Sequence, residues 1–349
     1  MLRIPFGVAA NRSGNHKAFM LAGFASLIAA GILLIMARSP VVFFAARFLA
    51  GLASATWVSF TVFYTGYHAE SDTGKAIASL MIANNCGTLS SYLLGIVLFD
   101  RTGITLMFII SIAAAVIGIS LLLTVGKSGE DTASGPAAAI NPMNLRGFGE
   151  VIKNRGLLLF SSIAALFQVI TFATVMSFTP DHVRNYLGAS GSALAFLSVT
   201  YSVACIIGAY WIRSKPGARV SHKVQMACSF CMSALYCIVV PNAGNIFVVY
   251  IMQMVGGIGQ ASAMTLAMSQ ALSDIPRENR SAAMGVYQCV YSLGMTLGPV
   301  IMGAILGALG RFNYACYFIL IFCAAGLALS LFAIKDRRTP EQQTDGSVS

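Results

Sequence analysis

What this sequence has least of is charge. Asp, Glu, Lys and Arg make up only 10% of its 349 residues, where a soluble domain carries about a quarter. With 57% of residues hydrophobic, that shortage excludes an ordinary water-facing domain and points to a bilayer. Acid is rarer still. All 12 carboxylates (Glu70, Asp72, Asp100, Glu130, Asp131, Glu150, Asp181, Asp274, Glu278, Asp336, Glu341 and Asp345) fall in polar breaks or tails. No acid therefore sits in the middle of an apolar run to load and release a proton. The four histidines, His16, His68, His182 and His222, lie near the same breaks. Cysteine is missing from polar loops, where an oxidising compartment would pair it; all 8 fall inside apolar runs. Cys228-Ser-Phe-Cys231 has the spacing of a redox or zinc half-site but lacks a second pair. The cysteines read as small packing residues, and no metal site is expected. The opening residues, MLRIPFGVAANRSG, are too short and interrupted for a cleavable signal. No nucleophile–base pair, metal-ligand set or phosphate loop is present, which argues against an enzyme.

The charges that do occur separate long apolar stretches. Lys17 to Arg38, Arg38 to Glu70, Lys75 to Asp100 and Arg101 to Lys127 each hold one span, as do Arg155 to Asp181, Arg184 to Arg213, Arg280 to Arg311 and Arg311 to Lys335. Lys223 to Asp274 is long enough for two, with Pro241-Asn-Ala-Gly-Asn245 as the turn between them. At about 20 residues per span this predicts an all-α integral membrane fold with ten complete helices and a partial one ending near Ala10. Assigning alternate loops to sides puts 16 of the 22 basic residues, and every lysine, on one side. The other side has only Arg38, Arg101, Arg184 and Arg311. That bias is the positive-inside signature. It marks the lysine side as cytoplasmic and accounts for the net charge of +10 without any nucleic-acid partner. A plasma or inner membrane location follows.

The longest interval that is not hydrophobic, residues 126–155, divides two similar runs of spans. Gly7 and Arg12 are answered by Gly208 and Arg213 at an offset of 201, and Arg47-Phe-Leu-Ala-Gly51 by Gln253-Met-Val-Gly-Gly257 at 206. Such matches indicate a duplicated membrane unit. The expected organisation is an N-terminal bundle over residues 1–125 and a cytoplasmic linker over 126–155. A six-helix bundle over 156–338 and a disordered tail over 339–349 follow. Residues 144–155 are expected to form a short amphipathic helix on the membrane surface. The second unit has 52 residues from Gly156 to Gly208, whereas 6 precede Gly7. By that comparison the first unit lacks its first helix and most of its second, roughly 45 residues at about 20 per span.

Gly7-Val-Ala-Ala-Asn11-Arg12-Ser-Gly14-Asn15-His16-Lys17 resembles the signature loop of the major facilitator superfamily, which joins the second and third helices of a twelve-helix carrier. Arg47-Phe-Leu-Ala-Gly51 resembles the family's fourth-helix motif. Gly294-Met-Thr-Leu-Gly298-Pro299-Val-Ile-Met-Gly303 resembles its Gly-Pro kink motif, here in the eleventh helix. The resemblance implies a gating role for Gly7, Asn11, Arg12, Gly14, Lys17, Gly298 and Pro299. Two departures are plain: Asn11 stands where the family has an acid that helps latch the two halves, and Asn15 where it has a base. The fifth-helix stretch Asn84-Asn-Cys-Gly87-Thr-Leu-Ser-Ser91-Tyr-Leu-Leu-Gly95 also has no proline. These departures weaken a proton-driven antiport reading.

A carrier needs polar groups within its spans facing water, since lipid cannot satisfy them. Arg47 either serves such a site or reaches back to headgroups; it lies about 13 Å along the helix from Arg38 at 1.5 Å per residue. Asn84, Thr88, Ser91 and Gly95 share one helix face, which either lines a cavity or lets helices approach closely. Gln168 shares a face with Ser161 and Thr171, and Gln253 with Gly257, Gln260 and Met264. The resemblance places these two faces on the seventh and tenth helices, which line the family's central cavity, making Gln168, Gln253 and Gln260 candidate solute contacts. Tyr287 and Tyr291 either stack on an organic solute or pack. The expected function is alternating-access transport of a small organic solute by a monomer, of the drug or metabolite efflux type. No cofactor is expected, and H+ or Na+ remain open as coupling ions. The competing expectation is a transporter-like membrane sensor, or a truncated product, that moves nothing.

Overall fold

Within a bilayer every backbone N–H and C=O must find its partner inside the protein, and among the described residues every regular element is a helix. A computed structural model describes residues 9–10, 13, 15–69, 72–125, 149, 151–276 and 279–334. The elements are α1 (His16–Met36), α2 (Pro40–Ala55), α3 (Trp57–Gly66), α4 (Thr73–Thr124) and α5 (Arg155–Ala173). A π-helical turn (Thr174–Phe178) leads into α6 (Thr179–Leu187), α7 (Gly191–Arg213) and the short α8 (Lys215–Arg219). α9 (His222–Val239), α10 (Ile246–Ser273), α11 (Arg280–Leu309) and α12 (Phe312–Phe332) complete the order. Together they supply ten helical stretches of 21 to 33 residues, long and apolar enough to cross a membrane, as the charge spacing predicts.

Two of these spans are interrupted, and a third break separates two spans within α4. Thr56 separates α2 from α3, and its hydroxyl donates to the Ala53 carbonyl at 2.7 Å, so the break leaves that hydroxyl satisfied. Gly103 divides α4 into the spans Thr73–Leu98 and Gly103–Thr124. Its φ of 73° and ψ of −177° lie where a Cβ is strongly disfavoured, so only glycine turns the chain there cheaply. The π turn precedes Pro180, whose ring cannot donate to, and crowds, the carbonyl four residues back. The backbone widens instead, and the Thr179 N–H bonds the Thr174 carbonyl five residues back.

The chain packs as two compact units. One takes its described residues from Met1–Thr73, Leu93–Leu157 and Leu272–Cys289, the other from Gly74–Tyr92, Leu158–Ala271 and Val290–Ser349. In the first, α1 is gripped on two sides. Gly23 abuts Thr56, and Phe24 meets Phe60 edge-on with centroids 5.5 Å apart. A Cβ on Gly31 would lie 2.8 Å from Ile112, and one on Gly118 2.6 Å from the Phe24 ring. Asn15 caps α1 by accepting from the Ala18 N–H at 3.1 Å, which gives a reason for Asn where a base was expected. Lys17 Nζ donates to the Val125 carbonyl at 2.7 Å, placing a cation on the last carbonyls of α4.

In the second unit small residues again set the approach. Gly326 of α12 takes the Phe230 ring of α9, and Phe230 tilts against Phe167 of α5 at 4.4 Å. A Cβ on Gly257 of α10 would lie 2.7 Å from the Ala204 Cβ and the Tyr201 carbonyl of α7. One on Gly259 would lie 3.1 Å from the Ser229 carbonyl of α9. Without a hydrophobic force between helices in lipid, such close backbone approach is what holds them together.

Candidate functional site

Ser161, Ala164, Gln168 and Thr171 recur at three- and four-residue spacing on α5, and all are buried. Polar groups on a buried face of an apolar helix need partners from the next helix, and α10 supplies one. Thr171 Oγ1 donates to Gln260 Oε1 at 2.7 Å, and Gln260 Nε2 donates to Gln168 Oε1 at 3.0 Å. Two amides and a hydroxyl thus form a relay between α5 and α10. α10 is positioned for this by its glycines: Gly257 meets α7, while Gly256 and Gly259 meet α9, leaving the Gln260 face to α5. Chemically the array is neutral and offers both donors and acceptors, and Gln260 is bonded through both its amide oxygen and its amide nitrogen. A solute can exchange into such an array at little electrostatic cost, because no ion pair has to break.

Gln253 is buried on α10, and its Oε1 has no hydrogen-bond partner. Tyr287 and Tyr291 are both buried on α11, and between them Gln288 is 0% exposed with neither amide atom hydrogen-bonded. Arg47 is exposed on α2, flanked by the exposed rings of Phe43, Phe44 and Phe48. Asn84 is exposed on α4, where the Thr88 hydroxyl turns back to its backbone carbonyl at 3.0 Å. The Ser91 hydroxyl does the same with Gly87 at 3.0 Å, and Gly95 has open space around it. Pro299 lies inside α11, one residue after Gly298. Gly7, Asn11, Arg12 and Gly14 lie outside the described residues; most of residues 126–155 and all of the tail do too. Among the described residues no His, Cys, Asp and Glu cluster fit to hold a metal is found. Cys228 and Cys231 are both free and exposed.

One buried contact has no counterpart in the sequence reading. Tyr236 OH on α9 donates to Thr179 Oγ1 at 3.0 Å, fixing the first residue after the π turn. The available signals were a tyrosine in the middle of an apolar run and a threonine before Pro180, separated by 57 residues. Nothing local joins them.

Comparison with known proteins fits this architecture. The chain is similar to the fucose:proton symporter FucP of E. coli, with a TM-score of 0.74 at 14% identity, covering 96% of this chain and 88% of that one. A FucP structure in the outward conformation gives 0.74 at 13% identity, covering 95% and 86%. The human organic anion transporter MFSD10 (TETRAN) gives 0.73 at 13% identity, covering 93% and 79%. These likenesses establish a shared fold. Sequence comparison with curated proteins yields no match. The profile of the Major Facilitator Superfamily matches residues 1–180 and again 161–348. This multi-pass membrane protein belongs to the major facilitator superfamily.

Proposed function

We propose that the protein is a secondary carrier that moves a small organic solute by alternating access, with Gln168, Gln260 and Thr171 among its solute contacts. The observation that carries this reading is the amide–hydroxyl relay between α5 and α10. Polar groups inside spans are costly and mark solute pathways, and this relay is neutral, which suits an organic molecule better than a bare ion. The similar proteins are named for an organic anion and for fucose, both small organic solutes. Efflux of drug-like or metabolic compounds is the direction we favour. The 16 methionines furnish adaptable surface for varied apolar ligands. Arg47, Asn84, Gln253, Tyr287 and Tyr291 are further candidate contacts. Gly298-Pro299 and the loop from Gly7 to Lys17 act as gating elements. The lysine-rich side, with residues 126–155 and the C-terminus, faces the cytoplasm, and the monomer is the working unit. If protons couple transport, Asp181 at the mouth of its span is the acid available among the described spans.

The test uses the full chain reconstituted in liposomes with ethidium, L-fucose and benzoate as probes. Uptake or counterflow of one probe is expected to exceed empty liposomes and to fall at least about tenfold in Gln260→Leu, the scale of 1.4 kcal/mol of lost solute binding. Flux of none of the three, with protein verified as folded and inserted, would overturn the reading.

A further inference from the structure

We infer that Gly294 is a positioning residue for Gln168, an assignment that rests on Gln168 being a solute contact as proposed above. α11 lies directly on α5 through two glycines. A Cβ on Gly294 would run into the Ala165 carbonyl and would lie 3.1 Å from the Gln168 Cβ. A Cβ on Gly298 would lie 2.5 Å from the Val169 carbonyl and 3.0 Å from the Ala173 N. Further along, Gly303 is at ordinary contact distance, 3.6 Å from the Phe178 ring, and Gly307 has nothing within 4 Å. The seam is therefore tightest at the turn that carries Gln168 and opens toward the far end of α11.

Neither atom opposite Gly294 can turn aside, because one is a main-chain carbonyl and the other a Cβ fixed to its helix. A methyl group there must push α5 itself. Restoring the Cβ–Cβ contact from 3.1 Å to an ordinary carbon–carbon separation of about 3.6 Å requires roughly 0.5 Å of movement, and the carbonyl contact requires more. The Gln260 Nε2 to Gln168 Oε1 distance is 3.0 Å. By this assignment that displacement lengthens the bond, which about 0.5 Å along its axis takes to about 3.5 Å, the limit at which a hydrogen bond is lost. The nearest atoms to Gly298 belong to Val169 and Ala173 on the next turn of α5, so it provides a control of similar crowding. Close packing alone would make both glycines equivalent; positioning makes only Gly294 act through the relay.

The experiment is a double-mutant cycle on the full chain in detergent, read as thermal midpoints. Gln260→Leu is introduced into the wild type and into Gly294→Ala, Gly298→Ala and Gly307→Ala. Its drop in midpoint is expected at full size in the wild type, Gly298→Ala and Gly307→Ala. In Gly294→Ala, where the Gln260–Gln168 bond is already broken, it is expected to shrink to less than about half. Full additivity with Gly294→Ala overturns the assignment, as does an equal shrinkage with Gly298→Ala. Should Gly294→Ala not accumulate as folded protein, Gln168→Gly in the same chain removes the Cβ it meets, leaves the Ala165 carbonyl contact, and is expected to raise the yield of monodisperse protein where Val169→Gly does not. An equal yield from the two rescues overturns the proposal. For any probe that the wild type moves, Gly294→Ala raises the half-saturating concentration in proportion to Gln168→Ala, and the two together are no worse than either. Absence of probe flux in the wild type sinks the transport reading but leaves the midpoint cycle to decide on Gly294.

Discussion

Tyr236 and Thr179 make a hydrogen bond whose two ends should be unequally easy to remove. The phenol donates to the threonine hydroxyl at 3.0 Å, and both residues are buried. Within membranes such bonds average about 0.6 kcal/mol and reach about 1.7, while an orphaned buried polar group costs about 1–3 kcal/mol. In Tyr236→Phe the orphan is the Thr179 hydroxyl. That group can rotate to a carbonyl three or four residues back, and Pro180 brings no N–H to the Met176 carbonyl. In Thr179→Val the orphan is the Tyr236 phenol, held on a ring that Gly256 packs against, with a Cβ there reaching within 3.1 Å of Cδ2. The phenol has no such local acceptor. We therefore expect Tyr236→Phe to cost about 0.5 kcal/mol and Thr179→Val about 1.5–2. The double variant removes both polar groups and should return to within about 0.5 kcal/mol of wild type. Reversible unfolding of the purified protein in mixed micelles measures all three. Equal penalties for the two single variants, or a double variant that costs their sum, would refute the reasoning, because the bond would then not be the interaction removed.

Three further outcomes are expected. Arg47→Leu should ease insertion of the α2–α3 span by about 2.5–3.5 kcal/mol, measured by glycosylation mapping, while abolishing flux of any probe the wild type carries; retained flux would make Arg47 a headgroup anchor. Gly103→Ala meets no atom within 4 Å, so its cost is backbone strain alone at φ 73°. A loss of about 1–3 kcal/mol in unfolding free energy checks that. Gly326→Ala drives a methyl into the Phe230 ring and should cost about 1–3 kcal/mol as overpacking. Phe230→Leu in the same chain should recover most of it, and the midpoints of the two chains make the comparison.

What the sequence discloses about such a protein depends on whether a residue reports on solvent or on its neighbour. The spans were legible because charge is tolerated in water and not in lipid, so Arg38, Arg101 and Arg311 mark helix ends within a few residues of where they occur. Gln168 and Thr171 were legible as one face because helical spacing fixes it, and Gln260 emerged by the same rule. That they meet each other needed the order of helices, which the family resemblance implied and the 2.7 and 3.0 Å bonds realise. The turn at Gly103 follows the Asp100–Arg101 charge break and was legible as a boundary between two spans. The break at Thr56 and the π turn before Pro180 were not, because a threonine in an apolar run is as compatible with an unbroken helix as with a bend.

Glycine shows the limit most sharply. Gly51 and Gly257 occupy matching positions in the two repeats, yet Gly257 sits against the backbone of α7 and Gly51 has nothing within 4 Å. The residue type is the same because a missing side chain permits close approach; whether a neighbour uses that permission is decided by the other helix. For that reason Gly294 reads in the sequence only as part of a kink motif, and its bearing on Gln168 becomes visible once α5 is laid against it. Lipid selects residues by polarity, and partners select them by shape. A single chain read alone records the first pressure at nearly every position and the second at very few.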